Sequence, residues 1–196
     1  MGVHEIRARY DERVIRVYQA YSPEIGLAAV RAQKFVPPFK MGRMTWIKPS
    51  FNWMMYRCGF GRKEGQHVVL GVDISREGFE WALRHAALSR YLPGVHSSEG
   101  EWRRSVDASP VRAQWDPERD WRLGQIDGVR SLQMGLSAEA VERYVSEWIV
   151  GIEDVTAAAH QMGRCVAAGV RPEVLPSDAE QVYPVDAELR QRVCVE

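Results

Sequence analysis

The chain has 196 residues, 26 Lys or Arg against 26 Asp or Glu, and 45% hydrophobic side chains. This is the balance of a globular chain that builds its own core, and a formal charge of zero excludes a uniformly basic nucleic-acid binder. No apolar run approaches the ~20 residues of a membrane-spanning helix, and the opening MGVHEIRARYDER carries no apolar segment of the secretory kind.

VIRVYQAY (14–21) is rich in β-branched and aromatic residues and predicts a strand. Its alternation puts Tyr18 and Ala20 on one face, Gln19 and Tyr21 on the other. Ser22, Pro23 and Glu24 then open a helix, and VPPFKMGR is a loop. MTWIK predicts a short strand, followed by a helix over SFNWMMYRC that ends near Gly59. HVVLGVDI (67–74) predicts a central strand. SREGFEWALRHAAL (75–88) predicts a helix capped by Ser75. Residues 89–109 show no period and predict a long loop. PVRAQWD reads as a strand entering the Pro-containing turn DPERD, and VRSLQMGL (129–136) as another strand. A helix over SAEAVERYVSEW, a strand over IVGIEDV and a small-residue helix over TAAAHQMGRCVAAG follow. The expected class is α+β: one domain over residues 1–170, a mixed or antiparallel central sheet flanked by helices, with 171–196 an extended tail packing on it. Cys58, Cys165 and Cys194 are odd in number and form no CxxC, so neither a disulfide framework nor a metal site is expected. A cytoplasmic setting suits them.

Charge is not evenly spread. Between Glu24 and Glu64 there is no acidic residue, while Arg31, Lys34, Lys40, Arg43, Lys48, Arg57, Arg62 and Lys63 all lie there. Such a stretch forms either an anion-binding face or a solvated face paired with the acidic tail. Within it, TWIKPSFNWMMYR interleaves rings with cations. Helical spacing puts Ser50, Met54 and Arg57 on one face, Trp53 beside them, and Phe51, Met55 and Cys58 on the opposite, core-forming side. Pro49 and Ser50 at a helix start, with Lys48 adjacent, make an anion site by the free N–H groups there. Arg57 would fork onto a phosphate, and Trp53 would stack on a base. The same stripe also fits a helix packed in a core. Gln19 inside a strand needs a partner, either in the protein or in a ligand. In QWDPERD, the carboxylates Asp116 and Glu118 suit acid–base work or simply cap a turn.

VYQAYSPEI, RMTWIKPSFNWMMYRCGFG, VDISREGFEWALRHA, QWDPERD, RSLQMGLSAEAVERYV and WIVGIEDVT together resemble the family known as domain of unknown function 4291. At the level of element order, the chain also resembles ADP-ribosyltransferase-like folds. That second resemblance implies NAD as cofactor and places Gln133 where such folds carry a catalytic glutamate. Asp116 or Glu118 would replace the carboxylate only if the fold brought them close, because a neutral amide cannot stabilise an oxocarbenium-like centre as a carboxylate does. The expected function is binding of a phosphate-bearing, nucleotide-like ligand by Tyr18, Gln19, Tyr21, Arg43, Lys48, Ser50, Trp53 and Arg57. ADP-ribosyl or glycosyl transfer, with Gln133, Glu118 and Asp116 as the catalytic set, is the reaction that goes with it. A non-catalytic nucleic-acid-binding or protein-interaction module is the alternative.

Overall fold

The structure, a computed structural model, describes residues 3–195. Strands β1 (Val3–Glu5), β2 (Arg7–Ala8) and β3 (Val14–Tyr21) lead into helix α1 (Pro23–Ala32). Then come β4 (Thr45–Ile47), α2 (Phe51–Cys58), β5 (Val68–Ser75), α3 (Arg76–Arg84), β6 (Ala86–Leu88) and α4 (Glu99–Ala108). The long hairpin of β7 (Val111–Arg119) and β8 (Gln125–Leu136) follows. After it, α5 (Glu139–Arg143) runs into a π-helical turn (Tyr144–Trp148), β9 (Ile149–Asp154) and α6 (Thr156–Ala167). The last segment holds a 3-10 turn (Pro176–Ala179), β10 (Gln181–Val182) and α7 (Ala187–Val193).

The fold is α+β. β3 and β5 are rich in β-branched residues and pair antiparallel along their whole length, with β9 on the other side of β5. In the second sheet β8 is central. It takes β7 antiparallel on one side and shares its other edge between β1, which is parallel to residues 129–131, and β4, which is antiparallel to residues 134–136. β6 extends this sheet beyond β7. The two sheets are fastened by a backbone bridge between Tyr18 and Lys48. One apolar cluster, including Val17, Ile47, Leu70, Ile74, Phe79, Met134 and Tyr144, spans both sheets. A second, with Tyr18, Phe51, Met55, Cys58 and Met162, lies around α2 and α6. Packing is tight where α3 meets the π-helical turn: a Cβ on Gly78 would stand 2.3 Å from Trp148.

Three expectations from local pattern differ from the structure. The segment 89–109 contains a full helix, α4, capped by Ser98, whose side chain accepts the Glu101 N–H at 3.1 Å. None of its residues is buried, so no apolar period marks it in the sequence. The helix read through 75–88 stops at His85, and Ala86–Leu88 become the edge strand β6. DPERD is not a turn. β7 continues through Pro117 to Arg119 with a register irregularity there, and the reversal falls at Asp120–Gly124. Pro117 is tolerated where ladder pairing is already interrupted.

Candidate functional site

A cleft of about 720 Å³ opens at the junction of the two sheets. β3 contributes Gln19 and Tyr21, the face opposite Tyr18, as strand alternation requires. The α1–β4 loop contributes Phe39, Lys40 and Arg43, and β4 contributes Thr45 and Trp46. Lys48, just past β4, lies on the floor. Met54 and Arg57, three residues apart on α2, form one wall. Gln114 and Gln133 face each other across the β7–β8 ladder, and both line the cleft.

α2 is set in place by local chemistry. Ser50 is extended (φ −79°, ψ 124°) and its hydroxyl accepts the Trp53 N–H at 3.2 Å. Gly59 ends the helix in the left-handed region (φ 58°) and returns its N–H to Met55 O. Between those caps the helix buries Phe51, Met55 and Cys58 completely and turns Arg57 outward into the cleft.

The anion site expected at the start of α2 is present but filled by the protein itself. The Ser50 hydroxyl donates to Glu118 Oε1 at 2.8 Å, and the Phe51 N–H donates to Glu180 Oε1 at 2.7 Å. Ser50 and Glu118 are both buried, and neither lines the cleft. Burial, with the Glu118 charge adding to it, pushes the Glu180 carboxyl up to about 8. Trp53 also lies outside the cleft. It is buried, stacked on Tyr56 at 5.2 Å, with the Arg119 guanidinium over the pair. Its cation is thus Arg119 of β7. Tyr18 packs edge-on against Phe51 in the second apolar cluster.

Gln19 is buried and satisfied. Its Nε2 donates to Tyr21 Oη at 2.9 Å, and its Oε1 accepts the Tyr144 hydroxyl at 2.5 Å. Burial pushes the Tyr21 phenol up to about 12. Gln133 Nε2 donates to Asp116 Oδ2 at 2.6 Å, and Gln114 Nε2 donates to the same carboxylate at 3.1 Å. Asp116 therefore sits behind the amides, held by both.

Lys48 is the exceptional group. It is 5% exposed, and its main chain is tied to Tyr18. Among the described residues no carboxylate lies within ion-pair distance of its ammonium. Burial, with the neighbouring Arg57 charge adding to it, pulls the ammonium down to about 8, while Asp116 pulls the other way. The same ion-pair pattern bears on the whole acid-free stretch: none of its eight cations pairs with a carboxylate among the described residues. The tail's Asp178 and Asp186 are bonded instead to Arg171 and Arg84.

Of the residues singled out from sequence, the cleft gathers Gln19, Tyr21, Arg43, Lys48, Arg57 and Gln133, with Asp116 directly behind. It leaves out Tyr18, Ser50, Trp53 and Glu118. Sequence reasoning missed Gln114, Gln66, Trp46 and Phe39. Gln114 was within reach, because strand alternation puts it on the same face as Asp116. Gln66, in an irregular turn, left no signal. Among the described residues no group of three or more His, Cys, Asp or Glu side chains is placed to hold a metal, and no helix is long and apolar enough to cross a membrane.

No curated protein matches the chain. A family model does, over residues 5–183, and with that span the chain belongs to the family described as domain of unknown function (DUF4291).

Proposed function

We propose that the cleft binds a phosphate-bearing, nucleotide-like small molecule. The single observation that carries this reading is Lys48: a buried ammonium with no carboxylate within ion-pair distance among the described residues, opening into a cleft that Arg57 and Arg43 also line. A buried charge is retained at a cost unless something pairs with it, and a ligand anion is the missing partner. Tyr21, Phe39 and Trp46 supply ring surface, and Gln66, Gln114 and Gln133 supply amides to orient a polar ring or ribose. The volume suits a molecule of nucleotide size.

The reaction class that goes with this site is ADP-ribosyl or glycosyl transfer, with NAD as the donor. Arg43 and Arg57 would hold the pyrophosphate, with the Lys48 ammonium beneath the ligand. Gln133 would stand at the reacting strand, and Asp116, bonded to it, would supply the negative charge that an amide lacks. The three free cysteines accord with a cytoplasmic ligand pool. Calorimetry with ADP-ribose, ATP and NAD tests the binding: heat at micromolar to millimolar ligand is expected, and its absence at millimolar concentration removes the reading. Release of nicotinamide from NAD tests the transfer step separately.

A nucleic-acid strand is the second reading. Arg62 and Lys63 are exposed beside the cleft wall, and Lys63 Nζ donates to Arg57 O at 2.7 Å, which continues the basic surface outward. Oligonucleotide affinity that falls steeply with salt and resists competition by a mononucleotide would favour it.

A further inference from the structure

The chain has only four lysines, Lys34, Lys40, Lys48 and Lys63, against 22 arginines. Among the described residues lining the cleft, the buried cation is a lysine. Lys34, Lys40 and Lys63 are exposed, and Lys48 is buried. For clamping phosphate alone, arginine is the better residue, with its fixed fork of donors. What lysine has and arginine lacks is an amine that can shed its proton and attack a carbonyl.

The surroundings of Lys48 fit that use. Its register position continues β4 opposite Gln133, which itself faces Gln114, so amine and two amides form a row across the sheet. Two hydrogen bonds to Tyr18 hold its main chain, and the residue lines the cleft. The charged and titratable groups around it are Arg57 and Cys58 from α2, Asp116 from β7, Tyr21 from β3, and Arg43 and Glu64 at the rim. The Asp116 carboxylate is bonded to the two amides.

We infer that Lys48 is a nucleophilic amine that captures the aldehyde of a phosphorylated sugar, such as the open-chain ribose end of ADP-ribose, as a reversible Schiff base. This rests on the reading of the cleft as a nucleotide-like anion site. In the step, the Lys48 ammonium first gives a proton to solvent water in the cleft. The Nζ lone pair then forms a bond to the aldehyde carbon, and the carbonyl oxygen takes up a proton to give a carbinolamine. Loss of that oxygen as water, with a second proton, leaves a protonated C=N bond. Ammonium plus aldehyde thus gives iminium plus water, with no oxidant or reductant. The positive charge stays on nitrogen, where Asp116 and the ligand phosphate counter it. The depressed basicity of Lys48 supplies free amine near neutral pH.

The test is reductive trapping. The protein is incubated with ADP-ribose and cyanoborohydride, which reduces C=N to a stable secondary amine, and peptides are mapped by mass. The same samples are run by calorimetry without reductant. A saturable adduct on the peptide carrying Lys48 is expected, suppressed by excess ADP, which has no aldehyde, and absent from K48R. At saturating ADP-ribose its formation rate should rise with pH, with a midpoint above the free protein's value of about 8 because the bound phosphate favours the ammonium. Binding heat without a Lys48 adduct overturns the inference and leaves the anion site standing. So does an adduct spread evenly over Lys34, Lys40 and Lys63. No heat at millimolar ADP-ribose removes the site and the inference together.

Discussion

The main chains of Tyr18 and Lys48 exchange two hydrogen bonds, Tyr18 N–H to Lys48 O at 2.7 Å and Lys48 N–H to Tyr18 O at 3.3 Å. This bridge joins the two sheets and divides the labour of the two side chains. Tyr18 turns into the apolar cluster under α2, and Lys48 turns into the cleft. Both main chains are held, and Lys48 is 5% exposed. Its burial is a property of the fold.

Lys48→Met should therefore separate stability from binding. Removing a buried charge that has no ion-pair partner among the described residues should leave the melting temperature unchanged or raise it, by on the order of 1 kcal/mol of stability. Affinity for ADP-ribose should drop tenfold or more, about 1.4 kcal/mol. Thermal melts and calorimetry on the same sample check both halves. A variant that melts lower and binds as well as the parent would show that the lysine is structural.

Arg57→Gln removes an exposed charge from the cleft wall, so stability should move by less than about 0.5 kcal/mol. Loss of a charge-assisted contact to phosphate should weaken ADP-ribose binding by roughly tenfold to a hundredfold. A titration of adenosine, which has no phosphate, should be little affected.

Ser50→Ala should do the reverse. It removes the cap of α2 and leaves the buried Glu118 carboxylate without its hydroxyl donor. The expected cost is about 1–3 kcal/mol in chemical denaturation. Ligand affinity measured well below the melting temperature should stay within about twofold, because Ser50 does not line the cleft.

Glu180 and Lys48 give stability a pH dependence of opposite sign. Glu180 has its folded value raised from 4.5 to about 8, so between those pH values the folded state holds a proton that the unfolded state has lost. Stability should fall as pH rises through that window. Glu180→Gln keeps an acceptor for the Phe51 N–H and should flatten the slope. Lys48 has its folded value lowered from 10.5 to about 8, so between pH 8 and 10.5 the unfolded state holds the extra proton, and stability should rise with pH there. Denaturation midpoints across pH 5–10 for the parent, E180Q and K48M distinguish the two contributions.

Anion binding should itself titrate. A phosphate favours the ammonium form of Lys48, so binding near pH 8 should take up a proton, and affinity should weaken as pH rises past 8. Calorimetry in two buffers of different ionisation enthalpy measures that uptake. Identical heats in both would exclude Lys48 as an anion contact.

The amino-acid sequence by itself determined the local pieces of this protein. β-Branched alternation set β3 and β5 and the opposite facings of Tyr18 and Gln19, and Ser50 and Gly59 bounded α2. These follow from short-range sterics and hydrogen bonds that act within a few residues. The acid-free run of cations was equally visible as a feature in need of an anion. Only the tertiary structure decided which anion each cation or N–H would meet. The start of α2 receives Glu118 and Glu180, 68 and 129 residues away in sequence from Ser50 and Phe51, and so is closed to a ligand. Trp53 receives Arg119, while among the described residues Lys48 and Arg57 receive no carboxylate within ion-pair distance. The physical reason is that strand register and the docking of the tail set these encounters. Both are settled by burial of apolar surface across the whole chain, which no local pattern of charges records.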